Sequence, residues 1–285
     1  MSDIDRLFGR LNDLLDRLET IVPARVKFEI DRSFKAYRWL DHKFEGIPFF
    51  DKVDSSELLH LERQKKLLTT NTRQFIQDKP ANNALLWGAR GTGKSSLIKS
   101  LLSDFSQDDL SIVEVPKSAT VQLFNIIGQL GGEPRKFIIY LDDLSFEAND
   151  DSYKALKACL EGSLQPQPEN VLIYATSNRR HLMPESMKDN LDSTMVDGQL
   201  HPSDSIEEKV SLSDRFGLWL SFHPFTQDQY LAVVEQTLNN RNLDMSEQVR
   251  IEAVRFATSR GSRSGRIAMQ FANYWAGMQD DPTAD

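Results

Sequence analysis

The spacing of apolar positions divides the chain into three parts. Apolar residues recur every three or four positions over 4–21, which predicts an amphipathic helix. Packing of its apolar stripe on the chain itself is the simpler interpretation, and docking to a partner is the alternative. The next segment, 26–53, is aromatic and irregular and predicts no element, and helical spacing returns at 56–78. Residues 1–55 are therefore expected to form an N-terminal helical extension, which by elimination is the candidate adaptor for a partner.

Between 83 and 222, short apolar runs alternate with helical stretches. This alternation is typical of a parallel sheet whose strands are joined by crossover helices. We therefore expect an α/β core at 56–223. Its candidate strands are NALLW, SIVEV, FIIYLDD, VLIYATSN and WLSF, and its candidate crossover helices lie at 94–102, 119–130 and 152–162.

The strand pattern stops after Phe225. Helical spacing then recurs three times, at about 227–239, 246–258 and 264–278, and predicts a compact C-terminal helical domain at 224–285. Before the last strand, the segment 184–213 is polar and long enough to have a function of its own. A solvated connector is the simpler interpretation.

A glycine-rich turn follows the strand NALLW. The sequence GARGTGKS fits G-x-x-x-x-G-K-[ST] and opens the helix KSSLIKSLL, which is the context that a phosphate-binding loop requires. Glycines let backbone N–H groups approach phosphates that side chains would keep away. The sequence therefore predicts a nucleoside triphosphate site formed by Gly88, Ala89, Arg90, Gly91, Thr92, Gly93, Lys94, Ser95 and Ser96.

Two residues of this loop have specific roles in such sites. We expect Lys94 to reach the β and γ phosphates and the Ser95 hydroxyl to bind Mg²⁺. A dinucleotide-binding G-x-G-x-x-G interpretation that begins at Gly91 fails, because its last position is Ser96. The expected ligands are ATP and Mg²⁺.

The strand FIIYLDD ends in two carboxylates. Ligands of parallel sheets bind at the carboxyl ends of the strands, so we expect Asp142 to hold Mg²⁺ through water. We expect Asp143 to orient or deprotonate the water that attacks the γ phosphate. A polar strand end without a catalytic role is the alternative interpretation.

The strand VLIYATSN ends in three neutral polar residues, Thr176, Ser177 and Asn178. These residues are expected to bring a hydrogen-bonding group beside the same water or phosphate. Taken alone, such an ending is typical of a turn.

The order of phosphate loop, acidic strand end, polar strand end, LSDRFG and GSRSGR resembles that of AAA+ ATPases over about 56–277. The stretches GARGTGKSSL, DDLSFE, DSYKALKACLEGS, NVLIYATSNRRHL and SLSDRFGLWLSF resemble a prokaryotic AAA+ group known mainly as a domain of unknown function. The resemblance implies that Asn178 is the first sensor and that Arg215 is a finger that reaches a neighbour's nucleotide. It implies that Arg266, on a helical lid, is the second sensor. Arg263 competes with Arg266 for that role, and a local ion pair is the alternative for Arg215.

The resemblance implies an ATPase that remodels an unknown protein partner as a homo-oligomer, either a ring or a filament. One alternative is a slow ATP-dependent switch, because most AAA+ ATPases have glutamate where this chain has Asp143; Glu147 is a candidate substitute. A second alternative is a P-loop kinase with a small acceptor, against which LSDRFG argues. The segment 116–136 lacks the loop of protein-threading members, so an unfoldase is not favoured.

Composition narrows the expected partners and location. A net charge of −8 over 285 residues gives no bulk attraction to nucleic acid, and the basic cluster 179–181 is better interpreted as solvated surface. The single cysteine, Cys159, excludes a disulfide framework and a zinc site built on paired cysteines. The apolar runs are too short to span a membrane, and the stretch MSDIDRLFGRLNDLLDRLET is not a secretory signal. A cytoplasmic protein is expected.

Overall fold

The computed structural model describes residues 30–146, 150–161, 167–178, 194–196, 199–201 and 215–279. The described residues from Ser33 onward belong to one compact unit. Three features of the sequence analysis lie outside the described residues: the N-terminal helix, the substitute base Glu147 and the basic cluster 179–181.

Nine strands are present in the described residues. They are β1 (Ala36–Leu40), β2 (Lys43–Gly46), β3 (Ala84–Gly88), β4 (Leu110–Glu114), β5 (Lys136–Leu141), β6 (Val171–Ser177), β7 (Thr194–Val196), β8 (Gln199–His201) and β9 (Leu218–Phe222). Seven of them form one sheet in the order β2-β1-β4-β5-β6-β3-β9, and β7 pairs with β8 separately. Only the β1–β2 pair of the large sheet is antiparallel. The five predicted strands and their parallel arrangement are confirmed.

Seven α-helices are present in the described residues: α1 (Glu62–Ile76), α2 (Lys94–Asp104), α3 (Leu123–Leu130), α4 (Asp151–Glu161), α5 (Gln227–Asn239), α6 (Glu247–Ser259) and α7 (Gly265–Gln279). Helices α2, α3 and α4 are the predicted crossovers, and α5 to α7 are the three helices predicted after Phe225. None of the helices in the described parts of the chain combines the length and the apolar character needed to cross a bilayer.

The sheet begins earlier in the chain than the sequence analysis predicts. Strands β1 and β2 lie inside the segment 1–55, which was expected to be a helical extension, and β1 pairs in parallel with β4. Within β1, Ala36, Tyr37 and Trp39 are buried, so two buried positions are adjacent and the alternation of a half-buried strand is lost. Strands β7 and β8 lie in the predicted connector 184–213, and strands of three residues are too short to show a period.

The central strands are buried on both faces of the sheet. Every residue of β6 is buried, as is every residue of β5 after Lys136, which explains their unbroken apolar sequences. On one face, these strands share a core with α1 and α2, to which Leu68, Phe75 and Leu97 contribute. Each fully buried side chain of this kind contributes about 1.5–3 kcal/mol. This packing fixes the carboxyl ends of β3, β5 and β6 beside one another.

The C-terminal helices have a hydrophobic core of their own. Tyr230, Val234, Ala253 and Phe271 are buried in it. Helix α5 begins with a capping box, in which Thr226 and Gln229 satisfy each other's backbone N–H groups. The three helices are therefore a compact lid that follows β9.

Candidate active site

The loop between β3 and α2 has a backbone that only glycine adopts easily. Gly88, Gly91 and Gly93 have φ values of 136°, 72° and 96°. A Cβ atom at Gly88 would lie 1.9 Å from the carbonyl oxygen of Phe222 on β9, and the N–H group of Ala89 donates to that oxygen at 3.1 Å. The loop therefore stays close to the sheet and leads into the N-terminal end of α2, which favours anions.

The Lys94 side chain folds back into this loop. Its ammonium group donates to the carbonyl oxygens of Gly88 at 2.8 Å and Ala89 at 2.7 Å, and to Asn178 Oδ1 at 3.1 Å. Burial lowers the pKa of Lys94 to about 8, although the negative charges of Asp143 and Asp142 oppose this shift. A buried ammonium with neutral oxygen partners gains from an added anionic ligand, since charge-assisted hydrogen bonds are stronger.

Asp142 follows β5, and one of its carboxylate oxygens accepts three hydrogen bonds. Its Oδ1 atom accepts hydrogen bonds from Thr176 Oγ1 at 2.6 Å, Ser95 Oγ at 2.9 Å and the Asp143 N–H group at 3.1 Å. Burial alone raises the pKa of Asp142, but hydrogen bonds from Thr176 and Ser95, together with the nearby Tyr140 hydroxyl, outweigh it and hold the pKa below its ordinary value of 3.8. The ionised carboxylate beside a hydroxyl is a donor set that suits Mg²⁺, which binds one or two carboxylates together with phosphates and water.

Asp143 is held in an uncommon backbone conformation. Its φ is 49°, which is rare for a residue other than glycine. Its N–H group donates to Thr176 Oγ1 at 2.8 Å, and its carboxylate accepts a hydrogen bond from the Asn178 amide. The carboxylate also lies 3.9 Å from the Arg90 guanidinium group. Strained residues of this kind cluster at functional sites, and the fixed backbone aims the Asp143 side chain toward Asn178.

The sequence analysis named Thr176 only as one of three polar residues at a strand end. The structure shows that its hydroxyl donates to the Asp142 carboxylate and accepts from the Asp143 N–H group, so it fixes the carboxylate of Asp142 and the backbone of Asp143. The register of β5 and β6 explains this contact. Tyr140 pairs with Tyr174 and Leu141 with Ala175, so the next residues, Asp142 and Thr176, lie side by side. Each strand alone does not reveal this pairing.

The lid contacts the phosphate loop through the start of α7. The Arg266 N–H group faces the Gly91 carbonyl oxygen at 3.4 Å, and a Cβ atom at Gly91 would lie 3.0 Å from Arg266 Cβ. The charge of Arg266 also lowers the pKa of Lys94. Arg263, in contrast, accepts a hydrogen bond at its carbonyl from Phe225. Between the two competing arginines, the geometry favours Arg266 as the one next to the loop.

Arg215 lies near the amino ends of the strands, at the opposite end of the sheet from the phosphate loop. It lies three residues before the start of β9, forms an ion pair with Glu161 at the end of α4, and lines a cavity of about 480 Å³ with Asn83 and Lys136. Asn83 and Lys136 lie where β3 and β5 begin. The structure thus brings Lys94, Ser95, Asp142, Asp143 and Asn178 together, and it does not bring Arg215 to the loop of its own chain.

Known proteins share both the sequence pattern and the fold. A family model described as "Protein of unknown function (DUF815)" matches residues 32–279. No curated protein sequence matches the chain. The fold is similar to that of the Thermotoga maritima RuvB Holliday junction branch migration motor, with a TM-score of 0.53 and 16% identity over 80% of this chain and 65% of that one.

Two further solved structures are similar. The FIGL-1 AAA domain in complex with ADP has a TM-score of 0.52 and 16% identity over 83% of this chain and 77% of that one. Aeropyrum pernix ORC1 in complex with DNA has a TM-score of 0.50 and 15% identity over 78% of this chain and 63% of that one. The chain spans less than two thirds of the RuvB and ORC1 chains. At these identities the likeness establishes the fold, and the predicted AAA+ fold is confirmed.

Proposed function

Because the chain belongs to the family described as a protein of unknown function, DUF815, and has the AAA+ fold, we propose that it is an ATPase. It hydrolyses ATP to ADP and phosphate with Mg²⁺ and uses this cycle to remodel a protein partner as an oligomer. One observation carries the proposal: the start of α2 and the carboxyl ends of β5 and β6 bring together the groups that phosphoryl transfer to water requires. These groups are Lys94, Ser95, Asp142, Asp143 and Asn178.

The loop fits a triphosphate because its glycines leave no side chain in the way. Its backbone N–H groups and the N-terminal end of α2 would bind the phosphate oxygens. Lys94 would exchange its carbonyl partners for phosphate oxygens, which restore the charge that burial now disfavours. Residues 88–96 are therefore the proposed ATP site.

Ser95 and Asp142 fit a magnesium ion. The Ser95 hydroxyl donates its hydrogen to Asp142, so the lone pairs of its oxygen are free to face a metal. When bound, Mg²⁺ neutralises charge on the β- and γ-phosphate oxygens. The remaining ligands of such an ion are phosphate oxygens and water.

Asp143 and Asn178 form the hydrolytic pair of this proposal. The Asn178 amide bridges the two charged groups, with its oxygen toward Lys94 and its nitrogen toward Asp143. Asp143 would accept a proton from the attacking water or orient that water, a role that typically contributes about 10²–10⁴-fold in rate. Arg266 would report the state of the γ phosphate to the lid, because α7 already touches the loop at Gly91.

The position of Arg215 supports catalysis between subunits. An arginine that lies far from its own loop is suited to a neighbour's site in a head-to-tail ring or filament. There it would stabilise charge that develops on the γ phosphate, an effect worth about 10³–10⁵-fold in related phosphoryl transfers. In the single chain, Glu161 holds Arg215 in an ion pair that assembly would have to replace.

A second candidate function is a slow ATP-dependent switch. The observation that favours it is that one oxygen of the Asp143 carboxylate accepts a hydrogen bond from Asn178, while the other oxygen lies 3.9 Å from the Arg90 guanidinium group. Slow hydrolysis would prolong the ATP-bound, assembled state, in which a partner is recruited.

The proposed partner is a protein. RuvB and ORC1 are described with a Holliday junction and with DNA, but the net charge of −8 of this chain does not favour nucleic acid. Because β1 and β2 belong to the sheet, the proposed adaptor is confined to the residues that precede β1.

The proposal is tested by phosphate release from ATP with purified protein. Lys94→Ala removes the ammonium group from the loop and is expected to abolish Mg²⁺-dependent release. The matched control is Lys99→Ala, which removes an exposed lysine of the same helix that lies 3.9 Å from Asp51; it is expected to keep the wild-type rate. An unchanged rate in Lys94→Ala would rule out the proposed function.

A further inference from the structure

The Tyr140 hydroxyl is a buried polar group beside the proposed metal site. Tyr140 is 3% exposed, and its hydroxyl oxygen is buried and forms no well-aligned hydrogen bond with any residue that the structure describes. It lies beside the Ser95 hydroxyl and the Asp142 carboxylate, close enough to help lower the pKa of Asp142. Buried hydroxyl groups almost always have a partner. A hydroxyl without one, next to both proposed metal ligands, points to a ligand that completes its hydrogen bonding.

The tyrosine on the neighbouring strand behaves differently. Tyr174 pairs with Tyr140 in the sheet, and both side chains contribute to the same hydrophobic core. The Tyr174 hydroxyl accepts a hydrogen bond from Asn71 Nδ2 at 2.9 Å and shares another with Thr72 Oγ1 at 2.9 Å. Burial in this core therefore does not by itself deprive a tyrosine of partners. The difference lies in what surrounds each hydroxyl, and for Tyr140 that is the site of Ser95 and Asp142.

The chemistry of the Tyr140 hydroxyl suits the water shell of a metal. A tyrosine hydroxyl has an ordinary pKa of about 10, so at neutral pH it is protonated and is both a donor and an acceptor. Mg²⁺ usually retains several of its waters, and a metal-bound water is a strong donor. The tyrosine oxygen can accept from such a water while its own proton turns to the Asp142 carboxylate.

We propose that Tyr140 is a positioning residue of the magnesium site, whose hydroxyl hydrogen-bonds a water of the Mg²⁺ that Ser95 and Asp142 hold. The inference rests on the proposed function, because it needs a Mg²⁺-nucleotide in the phosphate loop. Tyr140 touches neither the nucleotide nor the attacking water. Its contribution is confined to the part of nucleotide affinity that depends on the metal.

The test uses Tyr140→Phe, which removes the hydroxyl and keeps the ring. The dissociation constant of the slowly hydrolysed analogue ATPγS is measured by calorimetry in excess Mg²⁺ and again in EDTA. In the wild type, Mg²⁺ strengthens binding. In Tyr140→Phe this gain is expected to shrink about tenfold, the low end of what loss of an outer-shell partner costs a metal site, while the affinity in EDTA is unchanged.

The matched control is Tyr174→Phe, which removes the paired hydroxyl on β6. It loses hydrogen bonds to Asn71 and Thr72, so its melting temperature without ligand is expected to fall while the gain from Mg²⁺ stays as in the wild type. Tyr140→Phe is expected to melt without ligand at or above the wild-type temperature, because the hydroxyl has no well-aligned partner to lose.

The outcomes separate this inference from the function on which it rests. A wild type that binds ATPγS more tightly with Mg²⁺, together with a Tyr140→Phe variant that shows the same gain, would overturn the inference alone. Equal losses of affinity with Mg²⁺ and with EDTA would also overturn it, since they indicate a general change in the loop. A wild type that binds no ATPγS under either condition would overturn both the proposed function and the role of Tyr140.

Discussion

Lys94 carries the charge on which the proposed nucleotide binding depends, and its burial disfavours that charge. The residue is 6% exposed, and its ammonium group donates to two carbonyl oxygens and an amide oxygen. Burial lowers its pKa to about 8, so the free protein loses this charge as the pH rises through 8. A bound triphosphate favours the charged form, which links ATP affinity to pH.

We predict that ATP affinity, measured in EDTA, weakens about tenfold between pH 7 and pH 9, because at pH 9 only about one Lys94 in ten is charged in the free protein. Carboxylates stay ionised and guanidinium groups stay protonated over this range. Lys94→Arg is the control, since an arginine keeps its charge and should give a flat profile at lower affinity. A flat profile in the wild type would contradict the linkage.

We predict that Asp143 is required for rapid ATP hydrolysis and contributes little to ATP affinity. Asp143→Asn keeps the shape of the side chain and removes its basicity, so turnover is expected to fall about 10²–10⁴-fold while ATP affinity changes little. Asp143→Glu restores the reach that most AAA+ ATPases have at this position and is expected to raise turnover. Phosphate release and ATP binding are measured on the same preparations. Wild-type turnover in Asp143→Asn would exclude it as the base.

At the scale of single residues, the sequence predicts the groups that belong to a local motif. The loop residues and Asp142 are predicted from their spacing within one turn or strand, whereas the role of Asn178 is implied by the resemblance to AAA+ ATPases. The contacts of Thr176 and Tyr140 depend on the register between β5 and β6, and packing between strands that are distant in the chain sets that register. Arg215 is identified by its motif, but its ion pair with Glu161 is not.

At the scale of elements, Gly88 couples the phosphate loop to β9. We predict that Gly88→Ala lowers the free energy of unfolding by at least about 1–3 kcal/mol, the cost of a side chain in a disfavoured backbone region. The added Cβ atom would also meet the Phe222 carbonyl oxygen at 1.9 Å, so β9 has to move away from β3. Urea denaturation of the purified variants measures the change.

The control for this substitution is Gly128→Ala in α3. Gly128 has no positive φ, and a Cβ atom there meets nothing within 4 Å. Alanine is a better helix former than glycine by roughly 0.5–1 kcal/mol, so this variant should be slightly more stable than the wild type. A Gly88→Ala variant as stable as Gly128→Ala would show that β9 and the loop are not tightly coupled.

The elements that the sequence predicts are those with a long, regular apolar pattern. Strands β5 and β6 are continuous apolar runs, and the lid helices keep a helical period over 13 to 15 residues. Strand β2 has four residues, none of which is buried, and adjacent buried residues in β1 break the alternation. Their place in the sheet depends on pairing with β4 across many residues, which local patterns do not record.

At the scale of the whole molecule, the proposed catalysis through Arg215 requires more than one copy of the chain. We predict that Arg215→Ala alone and Lys94→Ala alone release little phosphate, and that an equal mixture recovers activity. The first variant keeps an intact loop and the second keeps the finger, so about a quarter of the interfaces in a randomly mixed ring join the two. Arg38→Ala, which breaks an exposed ion pair with Glu114, is the control and should behave as the wild type.

The measurement that tests the central claim most directly is phosphate release from Mg²⁺-ATP over a series of protein concentrations, with Lys94→Ala as the blank. The account predicts release above the blank, with a specific activity that rises with concentration as subunits supply Arg215 to one another's sites. A rate equal to the blank at every concentration, in spite of ATP binding, would contradict hydrolysis and leave the switch. A rate above the blank that is independent of concentration, and unchanged in Arg215→Ala, would contradict catalysis between subunits.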